Sequence, residues 1–184
     1  MRRSRLAICD LDGTLVDSDR ALADAFVALG VPRSEVTFGH VVAEECARFG
    51  LTVAAYEAAY DDRSVEPFAG VPELVAALGD WAICSNKLRA AGEAELSRFG
   101  WTPAVAMFAD AFDGAKSPVP VLRALGVDAA DAVFVGDTAH DRVAARAAGL
   151  QFVLAGWNPR TIAEPGDVVL REPLELLDVL AQSA

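Results

Sequence analysis

The sequence predicts an α/β protein, a parallel sheet with helices on both faces and a small all-helical cap inserted after the first strand. Three observations carry that reading. Short apolar runs alternate with amphipathic stretches along most of the chain. The first run, Leu6-Ala7-Ile8-Cys9, stops at Asp10-Leu11-Asp12-Gly13-Thr14, as a buried strand ending in a tight turn does. From Asp17 to Val65 no strand pattern occurs at all, only helical periodicity.

The elements follow in order. Leu6–Asp10 is the first strand. Asp19–Leu29, Ser34–Phe49 and Thr52–Asp61 read as three helices, punctuated by Gly30-Val31-Pro32 and Gly50-Leu51. Pro67 and Gly70 mark the return to the sheet. Expected strands are then Trp81–Ser85, Val105–Ala109, Ala132–Gly136, Gln151–Ala155 and Val168–Leu170. Expected helices are Pro72–Leu78, Ala90–Phe99, Val119–Leu125, Ala139–Ala148 and Leu174–Leu180. The division is a core of 1–16 and 66–184, Rossmann-like, and a helical insert of 17–65. An insert at a strand's carboxyl end covers the place where such sheets bind ligands, and can act as a lid.

Composition narrows the function. The chain has 184 residues, 53% hydrophobic and 23% charged, enough for one buried domain and a small inserted one. Sixteen basic against 27 acidic residues give a net charge of −11, which argues against nucleic-acid partners. No apolar stretch approaches the ~20 residues of a membrane span. Met1-Arg2-Arg3-Ser4-Arg5 is basic, but the run behind it is too short for a signal peptide, so a solvated lead-in is expected. Cys9, Cys46 and Cys84 lack paired spacing, which fits free thiols and a cytoplasmic location.

Candidate site residues recur at strand ends. Asp10 and Asp12 border one space, where one carboxylate can attack an electrophile while the other handles a proton. A calcium loop also begins with aspartates two apart, but its glycine position holds Leu15 and its glutamate position Ala21. Ser85-Asn86 closes the second core strand and makes a modest anion site, although Ser-Asn is common in turns. Lys116, between Asp113-Gly114-Ala115 and Ser117-Pro118, is either an inward-pointing ammonium or a surface lysine. Asp137 and Asp141 follow Val133-Phe134-Val135-Gly136; a helix cap is the plainer role for Asp137. Further carboxylates at the edge holding Asp10 and Asp12 would repel by roughly 4 kcal/mol for charges 4 Å apart. A divalent cation removes that penalty, and oxygen-only ligands favour Mg²⁺.

Taken in order, Asp10-x-Asp12-Gly13-Thr14, Ser85-Asn86, Lys116 and Gly136-Asp137-x-x-x-Asp141 resemble the four motifs of the haloacid dehalogenase-like hydrolases. Within them the chain is most similar to the phosphoglycolate phosphatase-like branch, with Pro67-Phe68-Ala69-Gly70-Val71-Pro72 like the re-entry after its helical cap. The resemblance implies a Mg²⁺-dependent phosphatase of a small phosphorylated metabolite, monomeric or homodimeric. Asp10 would be the nucleophile and Asp12 the acid and base. Asp10, Asp137 and the Asp12 carbonyl would hold Mg²⁺, with Asp141 in support. Ser85, the Asn86 amide and Lys116 would hold phosphoryl oxygens, and Thr14 would orient Asp12. Phe38-Gly39-His40 looks like the specificity loop, with Arg20, Arg33 and Arg48 near it in sequence. An aspartate at position 12 favours phosphoryl transfer over dehalogenation, whose leaving group needs no proton. A phosphomutase of the same superfamily and a non-catalytic binding protein are the rival readings. The insert is shorter than the branch's usual cap, and Ser117 stands where a proline usually follows the lysine.

Overall fold

The structure, a computed structural model, describes residues 5–182, so the expected lead-in at 1–4 lies outside the described residues. The strands and helices in chain order are β1 (Leu6–Cys9), β2 (Val16–Asp17), α1 (Asp19–Ala28), α2 (Val42–Arg48), α3 (Val53–Ala59), β3 (Glu66–Pro67), α4 (Val71–Ala77) and β4 (Trp81–Cys84). They continue with α5 (Arg89–Phe99), β5 (Val105–Met107), α6 (Pro118–Leu125), β6 (Ala132–Gly136), α7 (Ala139–Ala147), β7 (Gln151–Ala155), β8 (Val168–Leu170) and α8 (Glu175–Ala181). Six strands form one sheet in the order β5-β4-β1-β6-β7-β8, every neighbouring pair parallel.

The alternation of side chains along each strand sorts the core into two layers. Ala7, Cys9, Ile83, Val133, Val135 and Val153 pack with α4, α5 and α8 on one face. Ile8, Ala82, Cys84, Phe134, Phe152 and Leu154 pack with α6 and α7 on the other. Strands covered on both faces read as unbroken apolar runs, and β4 and β6 are buried along their whole length. β1 lies third in the order, between β4 and β6, so its carboxyl end opens onto the loops of both neighbours.

Between β1 and α4 the chain departs from the sheet. β2 and β3 pair antiparallel, Val16 with Pro67 and Asp17 with Glu66, a ribbon that the sequence pattern does not reveal. Beyond it, Phe26 of α1, Cys46 of α2 and Tyr56 of α3 bury one another with Val31 and Val36 in a cluster of their own. The expected helix Ser34–Phe49 is a correction. Arg33–Glu35 is a single 3-10 turn, residues 36–41 run as a loop, and α2 starts only at Val42. Gly39 at φ +84° cannot continue a helix, and the Glu45 carboxylate accepts from the Thr37 N–H and hydroxyl, which fixes the loop instead.

Two packing details position the site. Gly92 of α5 lies so close to the buried Phe108 ring that an added Cβ would stand 2.2 Å from it. On the other face, Arg142 of α7 is buried and binds Asp167, Glu164 and the Ile162 carbonyl, pinning the segment after β7. Burial works against the Asp167 carboxylate, but hydrogen bonds from Arg142 and the Glu164 N–H outweigh it and hold its pKa below the ordinary value.

Gly92→Ala is expected to lower stability by roughly 1–3 kcal/mol in urea unfolding, against the usual gain for such a change in a helix. Because the folded pKa of Asp167 is depressed, its contribution is complete above the unfolded value of 3.8 and is lost as pH falls through the lower folded value. Thermal unfolding across that window should show wild type losing more stability than Asp167→Asn, which is already destabilised at neutral pH.

Candidate active site

The β1 strand delivers its carboxylate by extending the ladder one residue: the Asp10 N–H donates to the Val135 carbonyl at 2.9 Å. The chain then turns sharply, with the N–H groups of Leu15 and Val16 both donating to the Leu11 carbonyl. Gly13 sits at φ +73° in this turn, and a Cβ there would meet Asp137 Oδ2 at 2.4 Å, so glycine serves both backbone and approach. β4 extends likewise, the Ser85 N–H donating to the Met107 carbonyl at 3.0 Å.

These turns converge. Asp10 Oδ1 accepts from the Leu11 N–H at 2.8 Å, while Oδ2 faces the Lys116 ammonium at 2.7 Å. The same ammonium lies 2.6 Å from Asp141 Oδ1, an atom with no other polar partner among the described residues. Asp141 Oδ2 accepts from the N–H groups of Asp137 and Thr138 and from the Thr138 hydroxyl, closing a reciprocal cap on α7. Asp10, Asp137 and Asp141, all buried, bring an oxygen each to within 4.8 Å of one another.

The electrostatics match that crowding. Burial pushes the Asp10 pKa up to about 6, against the pull of Lys116 and with help from Asp141. Burial, then Asp141 and Asp10, push Asp137 up to about 8. Burial opposes the Lys116 charge, but Asp10 and Asp141 outweigh it and hold its pKa above normal. Buried carboxylates this close accept protons unless a cation joins them. The donor set, oxygen only and anionic, fits a hard divalent ion.

The other expected residues fall as follows. Asp12 lines the same pocket, its Oδ1 bound by the Lys87 ammonium at 2.6 Å. Ser85 lines it too, its Oγ accepting only weakly from the Lys87 N–H at 3.3 Å, which leaves the hydroxyl proton free to donate. Thr14 is a correction: its hydroxyl donates to Asp137 Oδ1 at 3.2 Å instead of reaching Asp12, because the turn aims it across to the end of β6. Asn86 is another. Its side chain is spent on structure, Nδ2 donating to the Gly39 carbonyl and Oδ1 accepting from the Lys116 N–H. It thereby ties the 36–41 loop to the Lys116 turn and leaves its backbone N–H for a ligand. Phe38, Gly39 and His40 line the pocket, with the His40 ring edge-on to His140 at 4.6 Å. Arg20, Arg33 and Arg48 are not among the lining residues, and pair with Asp24 and Glu45.

Residues after β7 complete the site. Asn158 donates to the Gly13 carbonyl and to Asp137 Oδ2, and Arg160 bridges Asp137 and Asp19 while its guanidinium lies 4.5 Å from the Phe38 ring. Trp157 donates to the Thr14 carbonyl. Arg160 carries no sequence signal of its own beyond its place just after the Trp157-Asn158-Pro159 stretch at the end of β7, where the strand-end rule that found Asp137 also applies. Lys87 was visible beside Ser85-Asn86 but carried no pattern of its own.

Comparison with known proteins agrees with this geometry. A family model described as haloacid dehalogenase-like hydrolase matches residues 32–155. A phosphoglycolate phosphatase of Xanthomonas campestris is 30% identical, over 98% of this chain and 98% of that one. The pyrophosphatase PpaX of Halalkalibacterium halodurans is 28% identical, over 95% of this chain and 96% of its own. The structure of CbbY from Rhodobacter sphaeroides in complex with phosphate is 26% identical and superposes with a TM-score of 0.75, covering 97% of this chain and 100% of that one. The chain belongs to the haloacid dehalogenase-like hydrolase family and is an enzyme of its phosphatase kind.

Proposed function

We propose that the chain is a Mg²⁺-dependent phosphatase of a small phosphorylated metabolite, working through a phosphoryl group carried on Asp10. The observation that carries this reading is the convergence of Asp10, Asp12, Ser85, Lys116 and Asp137 on one pocket. Relatives named as phosphatases, and a neighbour solved with phosphate, support it.

In the first step an Asp10 carboxylate oxygen attacks phosphorus and the bond to the leaving oxygen breaks. That oxygen takes a proton from the Asp12 carboxyl and departs as an alcohol. In the second step water gives a proton back to Asp12 and attacks the phosphorus, freeing phosphate and regenerating Asp10. The Leu11 N–H and Lys116 fix the two Asp10 oxygens, so the nucleophile is aimed before substrate arrives. Lys116 and the Ser85 hydroxyl face the charge that spreads over the phosphoryl oxygens. Asp10, Asp137 and the Asp12 carbonyl would hold Mg²⁺, Asp141 supporting them from behind. Bound there, the ion would neutralise the carboxylates and the phosphoryl charge.

The pocket between core and helical segment is about 40 Å³, room for roughly three waters. Residues 17–65 therefore act as a cap that lifts for substrate, hinged at the β2–β3 ribbon, and returns to exclude water. Asp19 and Phe38 of that segment both touch Arg160 of the core, so the seated position is held across the pocket mouth. Buried free thiols at Cys9, Cys46 and Cys84 suit a reducing cytoplasm, and among the described residues no helix is long and apolar enough to cross a membrane.

Asp10→Asn should abolish phosphate release from p-nitrophenyl phosphate, at least about 10³-fold, with an unchanged circular-dichroism spectrum. Stripping divalent ions with EDTA should stop turnover and Mg²⁺ should restore it. In the same samples Mg²⁺ should raise the melting temperature of wild type but not of Asp137→Ala.

A further inference from the structure

Lys87 is 3% exposed, and its ammonium has three acceptors for its three protons: Asp12 Oδ1 at 2.6 Å, Tyr60 Oη at 2.7 Å and Glu95 Oε1 at 2.9 Å. Glu95, on α5, is fully buried, and the Tyr60 hydroxyl donates to it at 2.8 Å. A buried lysine–glutamate pair is a poor device for stability, since apolar side chains of similar size hold a core as well or better. The network meets the pocket at Lys87 and Asp12, and of the two side chains Asp12, 19% exposed, is the one open to a ligand.

We propose that Lys87 is the positioning residue for Asp12, and that Tyr60 makes its grip depend on the seating of the helical cap. The inference rests on the reading of Asp12 as the group that gives up and takes back the proton. By occupying Oδ1, Lys87 leaves Oδ2 to face the leaving oxygen. Glu95 keeps the ammonium at that spot instead of letting it swing into the pocket. Lys87 stays an ammonium throughout; the only proton that moves is the one between Asp12, the leaving group and water.

Tyr60 supplies the link to the cap. It closes α3, stacks on Tyr56 with ring centroids 5.8 Å apart, and Tyr56 belongs to the helical cluster. If the cap lifts, Tyr60 leaves, Lys87 loses an acceptor and part of its cover, and Asp12 is released to water. Proton transfer is then competent only over a seated substrate.

The test is a series of aryl phosphates from p-nitrophenyl to phenyl, whose leaving groups need progressively more help from an acid. Paired replacement Lys87→Met with Glu95→Gln removes both charges together. It should lower kcat about 10- to 100-fold on phenyl phosphate and less than about threefold on p-nitrophenyl phosphate, with KM little changed. Lys87→Arg should recover part of the loss. Tyr60→Phe, which deletes one oxygen and spares the fold, should steepen the leaving-group dependence in the same direction, about 3- to 10-fold on phenyl phosphate. An equal fall across the series, or no fall, in Tyr60→Phe and the paired variant overturns the inference while Asp10→Asn remains inert and the parent reading stands. If Asp10→Asn turns over normally, both readings fail together.

Discussion

Three buried carboxylates at one edge of a parallel sheet are the constraint on which this molecule is organised. Asp10, Asp137 and Asp141 lie close enough to repel, and burial denies them the water that would screen it. What holds them is a frame of fixed donors. Lys116 spans Asp10 and Asp141, backbone N–H groups hold Asp10 and Asp141, and Thr14, Asn158 and Arg160 surround Asp137. The frame draws on four separate strand ends, which only a parallel sheet places side by side.

That arrangement explains why packing far from the pocket matters to it. Gly92 lets α5 lie against Phe108, and α5 carries Glu95 under Lys87. Arg142 clamps the segment after β7 and so steadies Asn158 and Arg160. The core thus supplies rigidity, and the residues of the helical segment, Tyr60, Asp19 and Phe38, touch that rigid frame at its charged points.

Legibility in the sequence follows from what each feature depends on. Strands buried on both faces show as continuous apolar runs, and β6 and β7, with the short edge strand β8, have the limits their sequence implies, residue for residue. The acids directly after such runs were readable because strand ends are where this fold does chemistry. Helical periodicity alone misled at Ser34–Phe49, where one glycine and the two hydrogen bonds that the Glu45 carboxylate accepts from Thr37 turn a helix into the loop that faces the pocket. The β2–β3 ribbon has two residues per strand, too few for any pattern. The Lys87 network was hidden for a different reason. Tyr60, Lys87 and Glu95 are unremarkable where they stand in the chain, and acquire meaning only when folding stacks the helical segment, a strand end and a helix face.

The central claim is that phosphorus becomes covalently bonded to one particular side chain. Rapid acid quench of wild type during turnover of an aryl phosphate, followed by proteolysis and tandem mass spectrometry, reads this directly. The account requires a base-labile phosphoryl group on Asp10, formed and lost at rates that match turnover. A quenched enzyme with no phosphoryl group under burst conditions, or with one on another residue, would contradict it.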